Sequence, residues 1–188
     1  MDDSEQSPHG LIKGQCQHDA PASGRSQNHS LTRRTGETGS RLVVGIGSPH
    51  GDDQAGWLVA SELQRRLVSP SETLACRLAK SPSDLLDWLE DVTHLIVCDS
   101  YDSPTELGEL RLWHWPADRL LRTRSSSSHQ LGLLNVLDLA TNIGRLPSRV
   151  EIWAIGGGRF SPETEPSPLV REACQRLAFQ LWEGFPRA

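Results

Sequence analysis

The feature that most constrains this chain is the run Arg41-Leu-Val-Val-Gly-Ile-Gly-Ser-Pro-His-Gly-Asp-Asp-Gln-Ala-Gly56. Leu42–Ile46 is apolar on both faces, as a central strand of a parallel sheet must be. A Gly-rich turn follows, then two adjacent carboxylates, Asp52 and Asp53. Gln54–Leu67 then takes a helical period, with Val59, Ala60, Leu63 and Leu67 on one face. A strand-to-helix turn of this kind is where open α/β sheets build their sites. Three familiar uses of such a turn fail here. The dinucleotide fingerprint lacks its third glycine, because position 50 is His. No Gly-Lys-Ser/Thr is present to grip a phosphate. A nucleophile elbow around Ser48 would need glycines where Ile46 and His50 stand, so Ser48 reads as a turn residue.

The remaining pattern extends the α/β reading. Thr73–Leu78 is a second strand. Ser81-Pro82-Ser83-Asp84 carries the Ser, Pro and acid of a capped helix start, and that helix is expected to run to about Asp91. His94–Cys98 is another continuous apolar strand, ending at Asp99. Glu109–Trp115 alternates, with Leu110, Leu112 and His114 on one face and Arg111, Trp113 and Trp115 on the other, as an edge or antiparallel strand does. After a Ser-rich loop, Arg122–Ser128, comes a helix at Leu131–Ile143 with a Leu133, Leu134, Leu137, Ala140 stripe. Arg149–Ile155 is a strand running into Gly156-Gly157-Gly158. Ser167-Pro168 opens a terminal helix in which Leu169, Ala173, Leu177 and Leu181 step by four. The order βαβαββαβα predicts a three-layer α/β sandwich. Its sheet is five-stranded and mostly parallel, with one antiparallel strand and helices on both faces.

Composition sets the outer limits. The 188 residues fit one domain, 41–188, behind a polar tail, 1–40, whose Ser, Gly, Gln, Asn, Thr and His content without periodicity reads as disordered. Cys16, His18 and His29 of that tail match no metal-finger spacing. The net charge of -5 argues against a nucleic-acid partner. No apolar stretch approaches the roughly 20 residues of a membrane span, and Met-Asp-Asp-Ser-Glu is not the start of a signal peptide. Cys76, Cys98 and Cys174 sit in apolar runs and read as buried reduced thiols, so the expected location is cytoplasmic.

Ligand-type side chains gather at the ends of apolar runs. Asp53 follows the first strand, Asp99 ends the third, and His129 closes the Ser-rich loop before a helix. If the first and third strands are parallel neighbours, their carboxyl ends bring Asp53 and Asp99 together, and the loop can deliver His129. Two carboxylates and an imidazole suit zinc, nickel or manganese with open positions, or a general acid/base set that activates water. Each residue also has a plainer use. Asp52 reads as an acid favouring a helix N-terminus, Asp99 can close its own turn, and a single His129 can be a capping or surface histidine. His50, Ser48 and Gly157 are candidates for the loops around substrate. Trp113-His114-Trp115 is either a partner patch or half-buried packing, and Arg122 and Arg124 are either contacts for an acidic peptide or solvated.

These residues, in this order, resemble the hydrogenase maturation endopeptidases, which trim the C-terminus of nickel–iron hydrogenase large subunits. The first element is Val44-Gly-Ile-Gly-Ser-Pro-His-Gly-Asp-Asp-Gln-Ala-Gly56. The second is Leu95-Ile-Val-Cys-Asp-Ser-Tyr-Asp102 with Leu107-Gly-Glu-Leu110. The third is Ser127-Ser-His-Gln-Leu-Gly-Leu-Leu134, and a late strand and terminal helix complete a match over about residues 41–183. The resemblance implies that Asp53, Asp99 and His129 contact a metal and that Asp53 and Asp99 are the catalytic acids of an aspartic-type or metal-dependent protease. It implies nickel carried by the precursor as the recognition signal, zinc or cadmium as stand-ins in vitro, the large-subunit precursor as partner, and a monomer. Departures lie around the crevice. Ser48 stands for the usual Asn, the loop before the acids is one residue shorter, Gln54 stands for Gly, Lys80-Ser81 for glycines, and Gly156-Gly157 for Gln-Pro. They keep two other functions in view: a metal-sensing chaperone that does not cut, and a divergent metal-dependent hydrolase on the same fold.

Overall fold

The computed structural model describes residues 40–67, 74–116, 128–162 and 164–185, with the backbone alone for 128–131. Five strands form one sheet: β1 (Ser40–Ile46), β2 (Leu74–Ala79), β3 (Val92–Asp102), β4 (Leu110–Trp115) and β5 (Arg149–Gly157). Their order is β2-β1-β3-β5-β4. The pairs among β2, β1, β3 and β5 are parallel, and β4 runs antiparallel on the edge. The helices are α1 (Ala55–Arg66), α2 (Ser128–Asn142) and α3 (Pro168–Gly184), with 3-10 segments at Gly51–Gln54 and Pro82–Asp87. The three-layer α/β fold is the one the residue pattern predicts.

Alternation along the strands makes two cores. Val43, Ile96, Cys98, Trp153 and Ile155 turn to one face and pack against Val59 and Leu63 of α1 and Ala173, Cys174 and Leu177 of α3. Leu42, Val44, Ile46, Leu95, Val97, Val150 and Ile152 turn to the other, against Leu133, Leu137 and Ala140 of α2, Leu85 of the second 3-10 segment and Leu89 just after it. Each fully buried aliphatic side chain contributes roughly 1.5–3 kcal/mol, so a strand apolar on both sides is stable only here, between two helical layers. The free thiols Cys98 and Cys174 are buried, and Cys76 is half-buried. Trp115 is buried and Trp113 packs on the α2-side core, so the tryptophan strand is packing rather than an open patch.

Several boundaries shift. The capped segment after Ser81 is a 3-10 helix that stops at Asp87, with the Ser81/Asp84 capping box intact; it does not reach Asp91, whose φ of 59° lies outside the helical range. β3 is longer than His94–Cys98. In α3 the exposed residue of the expected stripe is Leu169, at 56%, and Val170 takes the buried place. The Ser167 side chain makes no cap hydrogen bond. Ser40, placed in the polar tail, already pairs with Val92. The rest of that tail, with Cys16, His18 and His29, lies outside the described residues, as do Arg122 and Arg124.

Chain reversal positions the site. From β1 the chain moves outward through α1 to β2, then returns across β1, through the second 3-10 segment, to β3. The strand order therefore reverses between β1 and β3, and such a switch point leaves a crevice at the strands' carboxyl ends. Two glycines let α1 start directly on that edge. A Cβ on Gly45 would lie 2.0 Å from the Gly56 carbonyl oxygen, and one on Gly56 would lie 2.2 Å from the Ile46 oxygen and 2.3 Å from the Cys98 oxygen. All of these obstacles are backbone and cannot swing aside. Gly56→Ala is therefore expected to destabilise the fold by about 3 kcal/mol through overpacking. Gly132→Ala, in α2 where the nearest atom to a new Cβ is 3.6 Å away, should gain up to about 1 kcal/mol of helix propensity. Urea unfolding of the two variants checks the opposite signs.

Candidate active site

The first turn is built by glycines and by one buried acid. Gly51 adopts a φ of 54°, and a Cβ there would sit 2.2 Å from the Arg159 carbonyl oxygen. Its N–H donates to the Thr164 carbonyl at 3.0 Å, and the Asp52 N–H donates to the Arg159 carbonyl at 2.6 Å. The Asp52 side chain is fully buried. It accepts from the N–H groups of Gly158 (2.9 Å), Arg159 (3.0 Å) and Ser167 (2.6 Å), and from the Ser167 hydroxyl (3.0 Å). The expectation that Asp52 merely favours its own helix is corrected. It accepts at the start of a different helix, α3, and ties the first turn to the loop after β5. Gly157, a substrate-loop candidate, belongs to this clamp: a Cβ on it would press on Asp52 Cβ at 2.8 Å and on the Phe160 ring at 3.0 Å.

The next residue faces different partners. Asp53 is half-buried. Its Oδ2 accepts from the Ser48 hydroxyl at 2.5 Å and its Oδ1 from the Ser100 hydroxyl at 3.1 Å. Ser48 Oγ also lies 2.9 Å from His50 Nδ1. Ser48 is thus more than a turn residue, because its side chain holds the acid five positions on.

Asp99 sits where β3 outruns β1. The last β1–β3 partners are Gly45 and Cys98, while Asp99 still pairs with Ala154 of β5. Strand alternation puts Asp99 on the α2 face with Leu95 and Val97, and Ser100 on the α1 face with Cys98. The Ser100 N–H donates to Asp99 Oδ1 at 2.8 Å while its hydroxyl reaches Asp53, so one residue links the two acids. Asp99 is 2% exposed, and its Oδ2 has no hydrogen-bond partner among the described residues. Burial pushes its pKa up to about 8; the Ser100 N–H opposes this, and the nearby Asp53 charge adds to it.

His129 lies in the first turn of α2 rather than in the loop before it. Its backbone stands one turn before Leu133, on the helix that covers the Asp99 face; its side chain lies outside the described residues. Among those residues, no group of three or more His, Cys, Asp or Glu is placed to hold a metal ion. The structure thus brings together Asp53 and Asp99, adds Ser48, His50 and Ser100 around Asp53, and gives Asp52 and Gly157 a structural task. Ser100 had only its position after Asp99 to mark it in the sequence.

The comparisons with known proteins fit this arrangement. The model of a family described as hydrogenase maturation protease matches residues 58–183, a span that includes Asp99 and His129 and begins beyond Asp53. The hydrogenase expression/formation protein HupD of Bradyrhizobium diazoefficiens is 29% identical over 151 residues, 73% of this chain and 77% of that protein. The hydrogenase maturating endopeptidase HybD from E. coli superposes with a TM-score of 0.65 at 23% identity, over 76% of this chain and 89% of that one. The [NiFe] hydrogenase maturation protease HycI from Thermococcus kodakarensis KOD1 gives 0.63 at 23% identity, over 79% and 93%. The class these findings define is a hydrolase, an endopeptidase on an α/β sandwich. More narrowly, the chain belongs to the hydrogenase maturation protease family.

The adjacent carboxylates and Asp99 should respond differently to substitution. A carboxyl whose pKa is raised in the fold binds its proton there while the unfolded chain has already released it. The contribution of Asp99 to stability therefore falls as pH rises from 3.8 toward about 8. Asp99→Asn removes that slope, so its melting temperature relative to the parent should climb steadily between pH 4 and pH 8. Asp52→Ala strands three N–H groups and a hydroxyl and should cost roughly 3 kcal/mol or more. Melting curves across pH test both.

Proposed function

We propose that this chain removes the C-terminal extension of a nickel–iron hydrogenase large-subunit precursor after nickel insertion, and that the nickel carried by the precursor is the feature it recognises. The observation that carries the reading is the buried Asp99 Oδ2, without a hydrogen-bond partner among the described residues, beside Asp53 at the β1/β3 switch point. An ionised oxygen left without a donor in a dry site is costly unless a cation or a reacting proton comes to it. Two carboxylates, with His129 as a third ligand from the first turn of α2, form a donor set suited to a borderline divalent ion with open positions. Nickel here is cargo of the substrate, and zinc or cadmium would occupy the same groups in vitro.

Cleavage then needs one water and one proton shuttle. The water oxygen bonds to the scissile carbonyl carbon, and its proton passes to a carboxylate oxygen of the Asp53/Asp99 pair. The C–N bond breaks and that proton moves to the leaving amine nitrogen, which balances the hydrolysis. The Ser48 and Ser100 hydroxyls keep Asp53 in place. A general acid–base pair of this kind contributes about 10²–10⁴-fold.

With nickel-loaded precursor, Asp53→Asn, Asp99→Asn and His129→Ala should each abolish the mobility shift on a denaturing gel, with circular dichroism unchanged. Precursor without nickel should stay uncut. Trimming by all three variants would overturn this mechanism, and binding without trimming by the parent chain would point to a chaperone instead.

A further inference from the structure

We propose that Ser48 and His50 are positioning residues for Asp53, acting as an imidazole–hydroxyl–carboxylate chain that fixes its orientation; this deepens the trimming reading above and rests on it. The geometry sets the direction of the chain. A carboxylate only accepts, so the single Ser48 proton goes to Asp53 Oδ2 across 2.5 Å. The Ser48 oxygen must then be the acceptor for His50 Nδ1 at 2.9 Å, so Nδ1 carries the hydrogen. In the neutral ring this leaves Nε2 as the unprotonated nitrogen.

Each link has a physical task. A serine hydroxyl alone rotates among three staggered positions. A donor on its lone pair from His50 leaves its hydrogen one favoured direction, toward Asp53. Pro49 between them has a fixed φ, so little further chain entropy is lost in bringing position 50 back over position 48. The Asp53 N–H also donates to the His50 carbonyl at 3.0 Å, closing the 3-10 turn on the same residue. On the other side Ser100, from β3, holds Oδ1. Donors from two separate elements therefore stop the carboxylate turning about its Cβ–Cγ bond. Substitutions of groups that orient an acid or ligand in this way typically cost about 10–100-fold in activity or metal affinity.

The test uses the full chain with two readouts. In a long-range proton–nitrogen NMR spectrum of the metal-free protein, the His50 ring should show the Nδ1–H tautomer, and Ser48→Ala should abolish that preference. In the trimming assay, His50→Ala and Ser48→Ala should each lower kcat about 10-fold with KM little changed, and the double variant should be no worse than either. His50→Asn places an amide N–H near the Nδ1 position and should restore most of the rate; His50→Gln, whose amide overlays Nε2, should not. An Nε2–H tautomer in the parent protein, or equal rates for His50→Ala and the parent, overturns the relay. A parent protein that trims nothing overturns the function instead, and the tautomer then decides the relay by itself.

Discussion

Everything at the carboxyl edge of the sheet depends on the backbone contact between Gly45 and Gly56. A helix normally keeps a side-chain layer between itself and a sheet. Here the first turn of α1 lies against the Ile46 and Cys98 carbonyls, at distances no Cβ tolerates. The consequence is positional. The four-residue 3-10 turn that precedes α1 is pulled over the ends of β1 and β3, so an acid in it meets an acid on β3. Were the helix lifted to an ordinary packing distance, Ser100 Oγ would no longer reach Asp53 and the two carboxylates would be separate surface groups.

Adjacent aspartates then divide the work. Asp52 is fully buried and both its oxygens are hydrogen-bonded, with its four donors drawn from the loop after β5 and the start of α3. Breaking such a set leaves donors stranded, which costs far more than an average hydrogen bond contributes. The clamp therefore holds the turn rigidly, and rigidity is what a site on a turn otherwise lacks. Asp53, one residue on, is half-buried and accepts from the hydroxyls of Ser48 and Ser100. The pair shows how one dipeptide can supply both a fastening and a reacting group, because the tight turn sends consecutive side chains in opposite directions.

Local pattern carried much of this into the sequence. The apolar run Leu42–Ile46 and the one ending at Asp99 each announce a central strand, and the adjacency of β1 and β3, a condition in the sequence, is supplied by the sheet order. Asp53 and Asp99 were thus legible as a pair. What was not legible depends on contacts distant in sequence. Asp52 finds its donors 106 to 115 residues away, and nothing in Gly-Asp-Asp distinguishes a clamp from a helix-terminal acid. The Leu169/Val170 exchange has a related cause. Both positions fit a stripe on α3, and it is packing against the sheet that places Val170 in the core and leaves Leu169 exposed. The 3-10 segment at Pro82–Asp87 carries the same cap signals as an α-helix start, and those signals do not distinguish i→i+3 from i→i+4 bonding.

Asp99 exposes the tension between folding and function in this molecule. A carboxyl on a central strand, in the row of Leu95 and Val97, interrupts an otherwise continuous apolar face. Burial drives its pKa to about 8, so near neutral pH the folded chain holds a proton that the unfolded chain has lost, at the expense of stability. An apolar residue there would fold better. The strand accommodates the acid because β3 extends past β1, so Asp99 has a sheet neighbour on one side only and the Ser100 N–H on its Oδ1. The other oxygen has no hydrogen-bond partner among the described residues. Fold and site therefore share one origin: the overhang of β3 beyond β1 permits the acid and carries it to the carboxyl edge beside Asp53.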